Sequence, residues 1–269
     1  MIEITNIFKQ LPREIRAMVE GEQCVTDNIG QSDSMVLMFP DKVLKIQKNT
    51  AETESEYRML NWLQGKLPVP RILSYVLEGD TSYMVMSRME GQMACDEAYM
   101  KQPQVLITAL ARCLKRLWEI DIAECPSRWD LQIKLAAAEE NVQNNQVDLD
   151  NVEPENFGEK GFKNPRELLE WLKANKPAEE LVLSHGDFCL PNIFLKDGQL
   201  SGYIDLGKMG IADKWQDIAL CYRSLLHNYS GKYGEKVDVD IDPEVLFEEL
   251  GIEPDWEKLR YYILMDELF

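Results

Sequence analysis

The chain has 269 residues and a formal charge of −18, from 47 acidic against 29 basic side chains. A field of that sign repels nucleic acid and anionic membrane surfaces, both gripped through Lys and Arg on phosphate, and it draws in polycations. No apolar run approaches the roughly 18 residues of a membrane span, and Met1 to Glu20 is too charged for a signal peptide's core, so a soluble, cytoplasmic protein is expected.

Six cysteines without a Cys-x-x-Cys spacing and only two histidines leave little material for zinc, and reduced, mostly buried thiols are expected. The length suffices for a substantial core and two lobes. Up to about residue 90 there are short β-type runs at Met35 to Phe39, Val43 to Ile46, Ile72 to Val76 and Tyr83 to Met86, around one helical segment, Glu52 to Gln64. Met86 to Gly91 follows the last of these strands as a hinge. Helical stretches then come at about 104 to 120, 129 to 144, 165 to 175, 213 to 228 and 255 to 267. In the first of them Leu106, Leu110, Leu114 and Leu117 recur at spacings of three and four, a core stripe. The expected fold is α+β and bilobal: a small β-rich N-terminal lobe, residues 1–90, that binds nucleotide, and a larger, mostly helical lobe, residues 91–269, that carries catalysis and substrate.

The most informative stretch interrupts those helices. Leu181 to Ser184 reads as a strand, followed by a tight His185-Gly186-Asp187 turn and by Asn192. Ile193 to Leu195 and Leu200 to Ile204 flank Lys196-Asp197-Gly198-Gln199, where Asp-Gly between apolar runs signals a hairpin. That hairpin folds Asn192 back beside Asp205. Both are hard-oxygen ligands of the kind magnesium takes, which points to them as a metal pair. Asp187 faces the pair, where a substrate hydroxyl needs an acceptor for its proton in phosphoryl transfer. The plainer alternative is an exposed turn and hairpin, since Asp, Asn and Gly are ordinary turn residues; the combination and its spacing favour the chemical reading.

His185-Gly186-Asp187 with Asn192 resembles the kinase catalytic loop in its small-molecule form, and Ile204-Asp205-Leu206-Gly207 resembles the kinase metal-binding segment. Phe188-Cys189-Leu190-Pro191-Asn192, Ser201 to Asp205, Gly210 to Ala219 and the terminal Tyr261 to Phe269 are similar to the aminoglycoside 3'-phosphotransferases. Weaker matches at Trp62 to Pro70 and Phe162 to Leu168 extend the resemblance over nearly the whole chain. It implies the bilobal protein-kinase-like fold, ATP (or GTP) with Mg²⁺, and phosphorylation of a hydroxyl, the 3'-OH, of aminoglycosides such as kanamycin and neomycin, conferring resistance. It implies that Lys45, on the strand Val43 to Ile46, contacts the nucleotide phosphates and pairs with Glu56, with Glu52 and Glu54 as competitors for that role. Ser32, in the loop Gly30 to Ser34, covers the phosphates, and Ser87 and Met89 in the hinge flank the base. Asp217 braces the catalytic loop, although an acid there also fits a helix cap, and His185 is a packing residue. Substrate contacts carried over are Glu155, Lys208, Arg223, Asp266, Glu267 and the terminal carboxylate of Phe269.

The sequence departs from the family at several of these places. Val43 stands where an aromatic residue stacks on adenine, and Lys208 where an arginine supplies a bidentate fork. His227 and Gly158, with Glu159 beside it, replace acids, and the stretch from Asn228 to Asp242 is longer than in the family. Nucleotide preference and the range of aminoglycosides stay open, as does oligomeric state, expected to be monomer or weak dimer. Alternatives are a kinase of another amino sugar or amino alcohol and a silent nucleotide-binding module; Lys45, Asp187, Asn192 and Asp205 argue against the latter. A protein kinase is excluded by the eleven residues between Asp205 and Asp217, too few for a peptide-docking activation loop.

Overall fold

The computed structural model describes residues 7–26, 34–149, 152–153, 155–158, 161–232 and 236–269; Ser32 and Glu159 lie outside them. An antiparallel sheet of order β1-β2-β3-β5-β4 comes first, built from β1 (Val25–Thr26), β2 (Met35–Met38), β3 (Lys42–Lys48), β4 (Ile72–Glu78) and β5 (Thr81–Ser87). Its alternation sends Leu37, Leu44 and Val85 to one face, where they meet Leu11, Ile15 and Val19 around helix α1 (Arg13–Val19). Met84 and Met86, on the other face, join Met59, Leu60 and Leu63 of α2 (Ala51–Leu63) and through them the core of the helical part. The sheet is therefore sandwiched between two apolar clusters, and only one of them is local. Thr50 starts α2 with a capping box shared with Thr53, which sets Glu56 on the buried face.

Beyond Ser87 the chain forms β6 (Gln92–Met93), α3 (Glu97–Met100), α4 (Pro103–Trp118), α5 (Leu131–Gln143), α6 (Pro165–Ala174), β7 (Leu181–Ser184), β8 (Ile193–Lys196), β9 (Gln199–Tyr203), β10 (Gly210–Asp213), α7 (Lys214–Ser230), α8 (Val245–Leu250) and α9 (Trp256–Asp266). The fold is the α+β arrangement expected from the pattern, an antiparallel sheet followed by a mostly helical part. Leu106, Leu110, Leu114 and Leu117 of α4 are each fully buried. Tyr203, at the end of the hairpin strand β9, is buried too and donates its hydroxyl to the Cys113 carbonyl at 2.8 Å, docking the hairpin on α4.

Several elements carry too little sequence signal to be expected. Val25–Thr26 and Gln92–Met93 are two-residue strands completed only by their partners β2 and β8. Helix α1 begins behind Pro12, and α8 is six residues long. α7 runs to Ser230 before Gly231, at φ 83°, ends it in a left-handed cap. In the long stretch that follows, Val237, Val239 and Ile241 lay half-buried side chains on the main core.

Candidate active site

Strand β7 brings Ser184 and His185 into the core fully buried. The chain then reverses at Gly186, whose φ is +84° and where a Cβ would stand 2.0 Å from the Lys208 carbonyl oxygen. The two functional loops cross there at a separation that only glycine permits. The first is held by Asp217, fully buried on α7, whose carboxylate accepts from Ser184 Oγ at 2.9 Å, His185 N at 2.7 Å and Gly186 N at 3.0 Å. The cap of α7 is a different residue, Asp213, which accepts from Trp215 N at 3.2 Å and leaves Asp217 free to turn to the loop. His185 accepts the Asp187 N–H at Nδ1 over 3.4 Å and sets Nε2 3.1 Å from the Ile204 carbonyl, a pattern that assigns the proton to Nε2 and makes the ring a spacer between the loops.

Asp187, half-buried, points back over the short 3₁₀ turn Leu190–Asn192, and Asn192 Nδ2 donates to its Oδ2 at 2.9 Å and to its carbonyl at 3.0 Å. The Asn192 amide oxygen is thereby aimed away from Asp187. At the hairpin tip Asp197 and Gly198 both take positive φ, 53° and 70°, the two-residue turn that matches strand twist. The register sets Ile193 opposite Tyr203, and Ile204 N donates to Asn192 O at 3.0 Å, so Asn192 and Asp205 emerge side by side. Asp205 itself has φ 58°, a left-handed conformation that costs a non-glycine residue about 1–2 kcal/mol. Its Oδ1 accepts from Lys45 Nζ at 2.9 Å, and the same ammonium donates to Glu56 at 2.9 and 3.1 Å. Of the three candidate glutamates it is therefore Glu56 that pairs with Lys45. Burial opposes the Lys45 charge, but Glu56 and Asp205 outweigh it and hold the ammonium protonated far above neutrality. The cleft desolvates Asp205, and Lys45 overcomes this and keeps its carboxyl below the usual range. An amide oxygen beside an ionised carboxylate fits the hard-oxygen donor set of a magnesium ion completed by phosphates and water.

Glu52 takes a different place: its Cγ lies 2.6 Å from where a Cβ on Gly207 would be, over the segment that follows Asp205. In the hinge, Ser87 Oγ accepts from Arg71 N at 2.9 Å, and Met89 rests on β9, its methyl 2.2 Å from where a Cβ on Gly202 would be.

On the far side of Asp187 stand the other expected residues. Burial works against the charge of Lys208, but Asp266, Asp187, Glu52 and Asp205 raise its pKa. Arg223 is ion-paired with Asp266, whose carboxyl Arg223 and Lys208 hold low in spite of burial. Glu267 is buried and occupied within the chain, accepting from Asn156 Nδ2 at 2.8 Å and Glu153 N at 3.1 Å. Leu268 is fully buried, with its carbonyl bonded to Asn141 Nδ2 at 2.9 Å, and only Phe269 is exposed. Glu267 and Leu268 are thus packed into the fold, while Phe269 beyond them is exposed. Glu155 is exposed, whereas Glu153 lies 3.1 Å from His227 Nε2 and pairs with Lys232. Neither Glu153 nor Lys134, a buried lysine of α5 discussed below, was singled out from sequence. Lys134 did leave a signal, since it occupies a core position in the Leu131, Leu135, Ala138 stripe.

With this geometry in place, a family model for phosphotransferase enzymes matches residues 23–262. An aminoglycoside 3'-phosphotransferase of Enterococcus faecalis is 40% identical over 270 residues, covering 95% of this chain and 97% of the relative, and one of Staphylococcus aureus is 39% identical over the same shares. Among solved structures, a type VIII aminoglycoside 3'-phosphotransferase is 27% identical with a TM-score of 0.78 over 96% of this chain and 97% of its own. An aminoglycoside phosphotransferase of Streptomyces rimosus, described with ADP and streptomycin, is 25% identical with a TM-score of 0.79 over 100% of this chain and 99% of its own.

Removing the brace should unfold the loop before it touches the chemistry. Asp217→Ala leaves the His185 N–H and the Ser184 hydroxyl in the interior without their acceptor and the Gly186 N–H with Ser184 Oγ alone, at about 1–3 kcal/mol for each unsatisfied group. Urea denaturation is expected to show a loss of several kcal/mol, with Asp217→Asn, which keeps one acceptor oxygen, falling in between.

Proposed function

The chain belongs to the aminoglycoside phosphotransferase family, and from that membership we infer the division of labour in its site. The protein is a kinase that phosphorylates an aminoglycoside on its 3'-hydroxyl and so confers resistance. The observation that carries the assignment of roles is Asp187, its carboxylate oriented by Asn192 and set next to the Lys45–Asp205 pair. ADP beside streptomycin in the Streptomyces rimosus relative supports ATP as the phosphoryl donor.

Lys45, positioned by Glu56, meets the nucleotide phosphates, Ser32 is a further proposed phosphate contact, and Ser87 and Met89 flank the base. Val43 replaces an aromatic platform there, which leaves a looser grip on the base. Asn192 and Asp205 would hold Mg²⁺, which would neutralise phosphate charge when bound. Asp187 accepts a hydrogen bond from the acceptor hydroxyl and aligns its oxygen with the γ-phosphorus. As the new O–P bond forms, the bond from the γ-phosphorus to the bridging oxygen of ADP breaks and the hydroxyl proton passes to Asp187. Lys208 stands where charge builds on the transferring group. The acceptor's ammonium groups are met by Asp266, with Glu155, Arg223, Glu267 and Phe269 completing the pocket wall. The Glu267 side chain contributes by fixing the 153–156 turn, since its hydrogen bonds are already made within the chain.

Turnover of ATP against a panel of aminoglycosides and simpler amino sugars, with the product's phosphate located by ³¹P NMR, tests the reaction. Phosphate on an amino sugar alone, or on none of the panel, would overturn it. Asp187→Ala is expected to lower kcat by about 10²- to 10⁴-fold and to leave nucleotide affinity little changed. Asp205→Ala should in addition lose the magnesium dependence of nucleotide binding in calorimetry.

Substrate recognition is tested at Asp266, because truncating the terminal residues would also remove buried Leu268 and the Glu267 contacts. Asp266→Asn keeps the shape and deletes the charge. With a charge-assisted hydrogen bond worth about 1.5–3 kcal/mol, the aminoglycoside KM should rise roughly tenfold or more while the nucleotide KM holds.

A further inference from the structure

Lys134 sits on α5 at a core position, 8% exposed, yet it bears a charge. Its ammonium makes no hydrogen bond and no ion pair with any of the described residues; the nearest defined contact is the Phe269 ring, 5.5 Å away. The charges it feels most are Asp266 on α9, Lys208 after the metal aspartate, Asp217 on α7 and Asp187 on the catalytic loop. A lysine this buried normally finds a carboxylate or carbonyl, because an uncompensated buried charge destabilises the folded state. The Phe269 ring beside it and the charges of Asp266, Lys208 and Asp187 that act on it are those assigned above to the acceptor side of the site. An ammonium is a donor only: it bonds to hydroxyl and ether oxygens and repels another ammonium. An aminoglycoside presents both kinds of group on adjacent ring carbons.

We propose that Lys134 is a specificity-determining contact of the acceptor pocket, donating to a hydroxyl or ring oxygen next to the phosphorylated position and turning ammonium groups away toward Asp266. The proposal rests on the aminoglycoside kinase reading above. It explains why a buried charge has no hydrogen-bond or ion-pair partner among the described residues: the partner arrives with the substrate. Burial, only partly offset by Asp266, lowers the Lys134 pKa from an ordinary 10.5 to about 8. The folded state therefore binds fewer protons than the unfolded one, and stability gains from the loss of this charge as pH rises above about 8.

The test is Lys134→Met beside Lys134→Arg, each measured for steady-state kinetics and thermal stability with kanamycin and ATP. Lys134→Met is expected to lose roughly tenfold or more in kcat/KM for kanamycin, to keep the KM for ATP, and to melt at or above the wild-type temperature. Its stability advantage should shrink as pH is raised through 8. Lys134→Arg should recover part of the activity and lack the component of the alkaline decline in kcat/KM that belongs to Lys134, since a guanidinium stays charged. Wild-type kinetics in Lys134→Met would overturn the contact. So would a lowered melting point with parallel loss toward both substrates, which marks a structural lysine. A wild-type protein that phosphorylates no aminoglycoside would instead sink the underlying reaction, and the contact with it.

Discussion

The geometry of the site depends on one buried carboxylate. Asp217 comes from α7, the helix entered directly from strand β10, and reaches across to three consecutive residues at the end of β7. β7 and β10 pair antiparallel with Ser184 opposite Gly210, so the strand that delivers Asp187 and the strand that leaves the Asp205 segment are already neighbours. Asp217 converts that proximity into a fixed turn. Gly186 then passes against the Lys208 carbonyl, and His185 spans from one loop to the carbonyl of Ile204 on the other. Burial alone raises the pKa of such a carboxyl. The three donors aimed at it oppose that shift, and its desolvation is accepted in return for a loop whose backbone has no freedom.

A second link crosses the cleft. Lys45 belongs to the sheet and Glu56 to the helix beside it, while Asp205 is 160 positions downstream of Lys45. All of that separation is closed by packing. One face of the sheet, through Met84 and Met86, shares a core with Leu195 and Tyr203 of the hairpin that ends at Asp205. Glu52 adds a contact from the first turn of α2 onto Gly207. The Lys45 ammonium thus bridges Asp205 and Glu56, one cation offsetting two carboxylates that would otherwise repel each other. The left-handed backbone of Asp205 is sustained by the same bridge, as strain at functional positions generally is by its surroundings.

The parts of this site that could be read from sequence are those encoded locally. His185-Gly186-Asp187, Asn192 and the Asp197-Gly198 turn are close in the chain, and turn chemistry converts their spacing into geometry. The long helices follow from apolar stripes, and Leu106 to Leu117 is fully buried as the stripe requires. What was illegible is what depends on distant partners. Three glutamates in the first half of α2 could face Lys45, and the capping box at Thr50 that fixes the helix phase is what selects Glu56. The roles of Glu153 and Glu267 follow from a contact between residues more than 100 positions apart. Two-residue strands such as β1 and β6 exist because a neighbour supplies the ladder. Lys134 was hidden for the opposite reason: its periodicity says core and its chemistry says surface, and the conflict between them was the signal.

Net charge and local charge also part company in this molecule. The −18 of the whole chain favours the approach of a polycation from a distance. Inside the acceptor region the balance is different, because Asp187 and Asp266 share the space with Lys208, Arg223 and Lys134. Arg223 already neutralises Asp266 in part, and Asp266 and Asp187 both raise the Lys208 pKa. A substrate ammonium entering there competes with resident cations, so the pocket cannot gain affinity simply by being negative. On the proposed reading, discrimination comes from where each charge stands: carboxylates placed for amines, and a donor-only lysine placed for oxygens. On that reading such a mosaic separates steering from selection: long-range attraction brings in any polyamine, and the interior selects by the order of its hydroxyl and amine groups.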